Sequence, residues 1–190
     1  MRERGVVISG GGTGGHLYPA LVVGRRLLAL SPSLTLTYVG TRREVEQKIM
    51  AGQGVRFIPM RIEGLKGRGL KSLRGLVLLP LAFAHSLLIL VRTRPGLVVG
   101  VGGYSSGPIV LLASFLRIPT VILEQNARPG FTNRLLRRAV RQAVVAFPST
   151  LPAFKGKGVV LGNPVREEFY ALPPKTRTSS VPVRFLAGRV

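Results

Sequence analysis

Glycine, threonine and histidine stand together near the amino terminus, in a run whose composition suits phosphate binding. Residues 10–15 have the sequence GGGTGG, and His16 follows directly. An apolar segment precedes the run and apolar residues at helical spacing follow it, which predicts a turn from a strand into a helix. Glycines in such a turn let backbone N–H groups approach an anion, and the helix behind adds unpaired N–H groups and the positive end of its dipole. The run therefore predicts an anion site with an imidazole beside it.

His16 is the candidate for acid–base chemistry at this turn. The helix dipole disfavours a charged imidazolium there, so the ring could accept a proton from a substrate hydroxyl. Two other roles stay open for it: capping the helix, or donating a hydrogen bond to a phosphate.

The turn also satisfies the dinucleotide-binding pattern, because Gly10, Gly12 and Gly15 have the spacing G-x-G-x-x-G. A nicotinamide enzyme places an acidic residue about 20 positions further on, at the end of the second strand, to hold the ribose hydroxyls. Here residues 40–43, after the second apolar segment, are GTRR. The missing acid disfavours NAD, whereas the two arginines leave NADP as an alternative.

Composition limits the classes of protein and site. The chain has 190 residues, 46% of them hydrophobic, which suits about one ordinary domain with its own core. It has no cysteine, no aspartate and two histidines, so we expect neither a disulfide nor a metal or other cofactor. Without an Asp-x-Asp pair to hold a divalent ion, a bound diphosphate would depend on backbone amides and arginines.

The net charge of +21, from 28 basic and 7 acidic residues, predicts polyanionic surroundings. Nucleic acid and an anionic membrane are the two candidates. Nucleic acid is disfavoured, because the sequence has no zinc-ligand spacing, no aromatic RNA-binding motif and no heptad repeat. Part of the charge can also be ordinary surface in an arginine-rich composition set by the genome or by a hot habitat.

Strand-like and helix-like segments alternate, which predicts an α/β domain on a doubly wound parallel sheet. Strands are expected near residues 5–10, 34–39, 55–58, 97–101, 119–123, 143–147 and 158–161, and helices near 15–30, 42–52, 72–93, 106–116 and 130–141. Ligands of such sheets bind beyond the carboxyl ends of the strands. Polar segments follow three of these strands, at residues 10–16, 102–108 and 124–126.

Residues 61–94 join a basic, glycine-rich segment to an apolar one. The apolar stretch 76–91 is short and interrupted for a membrane span, and the amino terminus does not resemble a signal peptide, which together predict a cytoplasmic location. Two interpretations stay open for the stretch: a helix covering the sheet, or a patch that dips into a bilayer while basic side chains contact anionic head groups. The residues of that patch would be Lys66, Lys71, Arg74, Leu76, Leu79 and Phe83.

Four motifs in this order resemble the MurG family of glycosyltransferases: GGTGGH at 11–16, GGYxSGP at 102–108, EQN at 124–126 and GNPVR at 162–166. The resemblance implies the N-terminal, Rossmann-like half of a two-domain (GT-B) enzyme that is metal-independent, inverting and bound peripherally to the cytoplasmic face of the plasma membrane. It implies UDP-N-acetylglucosamine as donor. The implied acceptor is the undecaprenyl-linked lipid I, undecaprenyl-pyrophosphoryl-MurNAc-pentapeptide, which the enzyme converts to lipid II.

The resemblance also implies roles for individual residues. The candidate catalytic residues are His16, as the base, and Glu124, whose place at the end of a strand suits it to orient a sugar or base and for which a structural ion pair with an arginine is the alternative. The implied donor contacts are Thr13, Gly14, Gly15, Asn126 and Arg166, of which the first three could equally hold the diphosphate of the acceptor. We assign Gly102, Gly103, Tyr104 and Ser105 to the acceptor side.

The expected organisation is an acceptor- and membrane-binding domain at 1–166, a proline-containing linker at 167–182, and the first strand of a second domain at 183–190. In the family the missing second domain supplies a further glycine-rich loop and most of the uridine pocket. We therefore expect no transfer by this chain alone. The alternative function is a non-catalytic module that binds a polyprenyl diphosphate or a membrane.

Overall fold

The computed structural model describes residues 5–62, 70–166 and 168, which fold around one seven-stranded parallel sheet. The strands are β1 (Val6–Ser9), β2 (Leu36–Thr41), β3 (Arg56–Met60), β4 (Leu97–Gly100), β5 (Thr120–Glu124), β6 (Gln142–Val145) and β7 (Gly158–Val160). The helices are α1 (Gly14–Leu30), α2 (Glu44–Ala51), α3 (Leu70–Thr93), α4 (Ser106–Phe115) and α5 (Phe131–Leu136), and a short 3-10 helix (Pro148–Phe154) precedes β7. The expected linker and second-domain strand lie outside the described residues, except for Glu168 in the linker.

The strand order is β3-β2-β1-β4-β5-β6-β7, so the predicted doubly wound fold is confirmed. Every neighbouring pair of strands in this sheet is parallel. The order reverses direction between β1 and β4, where the connections leave the sheet on opposite sides and open a crevice at the carboxyl ends of the strands. The glycine-rich turns that follow β1 and β4 meet at this crevice.

Two elements differ from the sequence-based expectation. Helix α5 ends at Leu136 instead of near residue 141. The N–H groups of Ala139 and Val140 both bond to the Leu136 carbonyl, and the Arg141 N–H already bonds to the Thr120 carbonyl at 3.1 Å. The chain therefore begins to pair with β5 at Arg141, and the helix cannot continue to that residue. The 3-10 helix was missed because its two prolines remove backbone donors and disguise a helical pattern.

Apolar side chains cover both faces of the sheet. Helix α3 buries Ala82, Ile89 and Leu90 in the core cluster on one face, which confirms that it covers the sheet. On its outer side Leu81 and Val91 remain 60% and 56% exposed. In the described part of the chain, no helix combines the length and apolarity that crossing a bilayer requires.

Tyr38 of β2 lies beneath α1, where it is 3% exposed and donates a hydrogen bond from its hydroxyl to the Ala20 carbonyl at 3.4 Å. Gly24 makes the room, because a Cβ at that position would overlap the Tyr38 hydroxyl. Burial raises the pKa of Tyr38 to about 12, although the Arg25 guanidinium lowers it in part. The phenol is therefore harder to ionise in the folded than in the unfolded chain.

This pKa predicts an alkaline loss of stability. Unfolded tyrosine loses its proton near pH 10, so the free energy of unfolding is unaffected below that pH and falls as the pH rises toward 12, by about 2–3 kcal/mol. We expect the urea midpoint to fall between pH 10 and pH 12, and to fall less in Tyr38→Phe. An equal fall in both proteins would show that another group controls the alkaline transition.

Candidate functional site

The turn at residues 10–15 carries the chain from β1 into α1. Gly12 has a φ of 95°, a left-handed backbone that favours glycine. Thr13 is the N-cap residue in extended conformation, and it makes no side-chain capping bond. In the described structure the N–H groups of Gly14 and Gly15 have no acceptor, as expected for the first turn of a helix. These exposed amides are available to an anion at the positive end of α1.

A second glycine turn, after β4, packs directly on the first. Gly102 and Gly103 have φ values of 93° and 81°. A Cβ at Gly102 would lie 2.8 Å from Cε1 of His16, and a Cβ at Gly103 would overlap the Gly11 carbonyl oxygen. Only glycine fits at both places, which puts the imidazole of His16 between the two turns.

Serine hydroxyls tie the second turn to the sheet. Ser9 donates to the Ser105 carbonyl at 3.0 Å, and Ser106 donates to the Gly103 carbonyl at 2.9 Å. Ser105 is buried, whereas Tyr104 is half-buried. The predicted acceptor segment 102–105 is thus a rigid shelf beside His16.

Buried polar atoms without a hydrogen-bond partner concentrate at this edge of the sheet. Within the described residues they are His16 Nδ1, Ser105 Oγ, Gln125 Oε1 and Asn133 Oδ1. The first three belong to the segments that follow β1, β4 and β5. Because buried polar groups are nearly always paired, this concentration indicates a site that a ligand or water completes.

Glu124 ends β5 and is 2% exposed. Its carboxylate accepts hydrogen bonds from the backbone N–H and side-chain amide of Asn126 at 3.0 and 2.9 Å, and from the Gly130 N–H and Asn133 side-chain amide, each at 2.9 Å. No arginine is among its described contacts, so the ion-pair alternative does not hold there. The carboxylate shapes the loop after β5, and this geometry favours a positioning role over direct contact with substrate.

The predicted donor contacts fall in two places. Asn126 is exposed in the loop after β5, with its amide nitrogen turned toward Glu124. The Arg166 guanidinium lies over the Tyr18 ring, 4.8 Å from its centre, so the segment 161–166 returns to the first turns of α1. There it lines a trough of 940 Å³ between α1 and strands β4 to β6. Arg166 thus lies beside Tyr18, one helical turn along α1 from Gly14.

An apolar groove of 150 Å³ adjoins the second glycine turn. Leu79 and Phe83 of α3 line it together with Tyr104 and residues of α4 and α5. Both are half-buried, so these two members of the predicted membrane patch face a groove. Of the other members, Lys66 lies outside the described residues, as do the side chains of Lys71, Arg74 and Leu76.

Sequence analysis missed that Glu46 and Arg43 hold the first glycine turn from the side of α2. The Glu46 carboxylate accepts hydrogen bonds from the Gly12 N–H and from the N–H and hydroxyl of Thr41. Arg43 donates to the Gly12 carbonyl at 2.6 Å. The signal was a glutamate five residues beyond the end of β2. A ribose-binding acid would lie at the strand end itself, so that pattern does not single out Glu46.

Comparisons with known proteins agree with the motifs. Residues 6–145 match the model of the glycosyltransferase family 28 N-terminal domain. A Myxococcus xanthus protein named UDP-N-acetylglucosamine--N-acetylmuramyl-(pentapeptide) pyrophosphoryl-undecaprenol N-acetylglucosamine transferase is 44% identical over 165 residues, which are 86% of this chain and 43% of that protein. A protein of the same name from Desulfotalea psychrophila is 39% identical over 178 residues, 93% of this chain and 48% of its own. The chain spans about half the length of these curated relatives.

Solved structures show the same half-length match. MurG from Acinetobacter baumannii superposes with a TM-score of 0.69 and 27% identity, over 90% of this chain and 50% of that one. A UDP-GlcNAc 2-epimerase from Neisseria meningitidis superposes with a TM-score of 0.64 and 15% identity, over 83% of this chain and 46% of that one. This likeness shows the fold alone. The resemblance to the MurG family, and to the N-terminal half of a GT-B protein, is thereby confirmed. Because the family model covers well over half of its residues, this chain belongs to glycosyltransferase family 28 and carries its N-terminal domain.

Proposed function

We propose that this chain is the acceptor-binding half of an inverting enzyme that transfers N-acetylglucosamine from UDP-N-acetylglucosamine to undecaprenyl-pyrophosphoryl-MurNAc-pentapeptide in peptidoglycan synthesis. The observation that carries the proposal is the junction of the two glycine turns, where exposed amides, the His16 ring and unpaired buried polar atoms meet at the switch point of the sheet. Relatives at 39–46% identity are named for this transfer.

The first glycine turn suits a diphosphate. The amides of Gly14 and Gly15 supply donors at the positive end of α1, next to the exposed hydroxyl-bearing Thr13. Both substrates carry a diphosphate. We assign this turn to the diphosphate of the acceptor, because the apolar groove beside Tyr104 can hold the first part of a polyprenyl chain. Asn126 and Arg166 are then the contacts left for the donor.

His16 supplies the base in this proposal. Its Nδ1 is buried, so we assign Nε2 as the atom that receives the proton. As the acceptor oxygen forms its bond to C1 of N-acetylglucosamine, the proton of that hydroxyl passes to the ring. The bond from C1 to the UDP oxygen breaks, and UDP leaves with the electron pair, where the Arg166 guanidinium stabilises the charge.

A peripheral position on the cytoplasmic face of the plasma membrane forms part of the proposal. Leu81, Leu88 and Val91 on the outer side of α3 are 60%, 44% and 56% exposed, and Phe115 at the end of α4 is 74% exposed. The net charge of +21 favours anionic lipid. Apolar side chains and basic charge together are what a protein uses to lie on such a surface.

The test is transfer of radiolabelled N-acetylglucosamine from UDP-N-acetylglucosamine to a short-chain lipid I analogue. The chain is assayed alone and mixed with the separately expressed second half of a full-length relative, and we expect transfer only in the mixture. If the mixture is silent although the chain is folded and binds the analogue, the non-catalytic binding module becomes the better description.

A further inference from the structure

We propose that Glu46 is a positioning residue, which sets the shape of the glycine turn 10–15 and decides which of its amides can receive a phosphate. The inference rests on the proposed function, since it concerns the turn assigned there to a diphosphate. Glu46 touches no substrate in this scheme. It acts through the backbone of Gly12.

The Glu46 carboxylate is unusual in its surroundings. It is 3% exposed in a chain with a net charge of +21, yet in the described structure it forms no ion pair. Its contacts are the N–H of Gly12 and the N–H and hydroxyl of Thr41, the last two at 2.7 and 2.6 Å. A buried carboxylate requires such compensation, and hydrogen bonds to a charged acceptor are stronger than neutral ones.

Two glycines make the space that this carboxylate fills. A Cβ at Gly11 would overlap the carboxylate oxygens, and a Cβ at Gly40 would lie 2.6 Å from Oε2. Neither glycine has a positive φ, so the absence of a side chain at each is explained by Glu46 and its neighbours. The turn after β1 and the end of β2 are thus shaped around one side chain of α2.

Gly12 is held at both of its polar groups. Its N–H donates to Glu46 and its carbonyl accepts from the Arg43 guanidinium at 2.6 Å. The Gly12 amide is therefore unavailable to a ligand, while those of Gly14 and Gly15 have no acceptor in the described structure. The negative carboxylate behind Gly12 also repels a second anion there. Both effects direct a phosphate to the α1 end of the turn.

The experiment compares the chain with its Glu46→Gln variant by amide NMR, with geranyl diphosphate as the probe. In the unchanged chain we expect the Gly12 amide proton to be protected from exchange and to move little on titration, while the Gly14 and Gly15 amides shift. In Glu46→Gln we expect Gly12 protection to fall at least about tenfold and the Kd of the probe to rise about five- to tenfold, because a charge-assisted bond is lost.

Glu44→Gln is the matched control. Glu44 lies on the same helix, with its side chain 82% exposed and 3.3 Å from the Lys48 amine, so its loss should change the Kd less than twofold. Thr41→Val separates stability from positioning. It removes one donor to Glu46 but leaves the bond from Gly12 to Glu46. It should therefore lower Tm without raising the Kd of the probe.

Unchanged Gly12 protection in Glu46→Gln, or a Kd equal to that of the Glu44→Gln control, would overturn the proposal. If the unchanged chain does not bind geranyl diphosphate, the proposed function loses its support, and the Gly12 resonance alone still decides whether Glu46 sets the turn. Should Glu46→Gln fail to fold, the exposed Arg43→Met releases the Gly12 carbonyl and should raise the Kd about threefold. An unchanged Kd in Arg43→Met would contradict the proposal that the hold on Gly12 positions the turn.

Discussion

Replacing His16 with alanine is expected to lower the transfer rate of the reconstituted enzyme by about 10²–10⁴-fold, the usual contribution of a positioned general base. The ring is held against Gly102 between the two glycine turns, with Nδ1 buried and unpaired. Its removal leaves the turns themselves in place, because their contact is made by the backbones of Gly11 and Gly103. The loss should therefore be in kcat, with KM for the lipid I analogue nearly unchanged.

Separate measurements of kcat and KM also test the other roles of His16. A raised KM with kcat intact would indicate a hydrogen bond to phosphate, and a lowered Tm with normal kinetics would indicate a helix cap. His85→Ala is the control, since His85 is the other histidine of the chain and lies on α3, away from the glycine turns in sequence. Added imidazole should restore part of the rate of His16→Ala and leave the control unaffected.

Gly103→Ala should destabilise the chain by about 2–5 kcal/mol and abolish binding of geranyl diphosphate. Alanine at a φ of 81° costs about 1–2 kcal/mol, and overlap of its Cβ with the Gly11 carbonyl oxygen adds about 1–3 kcal/mol of packing strain. Relief would require the two turns to separate. Separation would open the space between them in which the His16 ring lies.

Gly156→Ala is the control that separates the clash with Gly11 from the cost of alanine at a positive φ. Gly156 has a φ of 82°, almost the same as Gly103, but a Cβ there meets nothing within 4 Å. Urea unfolding of the two variants should differ by about the packing strain alone, 1–3 kcal/mol. Equal free energies of unfolding would show that the two glycine turns are not in tight contact.

The architecture could be predicted because its signals are local. Buried parallel strands are short apolar runs, and the turns after β1, β4 and β5 carry glycine or polar residues at the points where the strands end. The motifs at 11–16 and 102–108 also indicated the family. Sequence reasoning therefore placed all seven strands and brought the segments after three of them to one edge of the sheet.

The direction in which a buried polar side chain turns is set by tertiary packing and could not be predicted. Glu124 was expected near substrate or an arginine, but amide donors of its own loop and of α5 surround it. Glu46 looked like a surface residue of a short charged helix, because nothing in the sequence shows that Gly11 and Gly40 leave a space for it. The bond from Gly12 to Glu46 connects residues 34 positions apart, and no local pattern encodes it.

The bond from Ser9 to Ser105 joins residues 96 positions apart, and β1 pairs with β4 over a similarly long interval, with Val6 opposite Leu97. Contacts of such long range form slowly, because loop closure opposes them until the intervening chain has folded. During synthesis, β1 and its glycine turn leave the ribosome before β4, and the shelf that supports them emerges only after residue 100. The part of the site that is made earliest is therefore completed late, and ligand binding should be acquired together with the cooperative folding of the whole sheet.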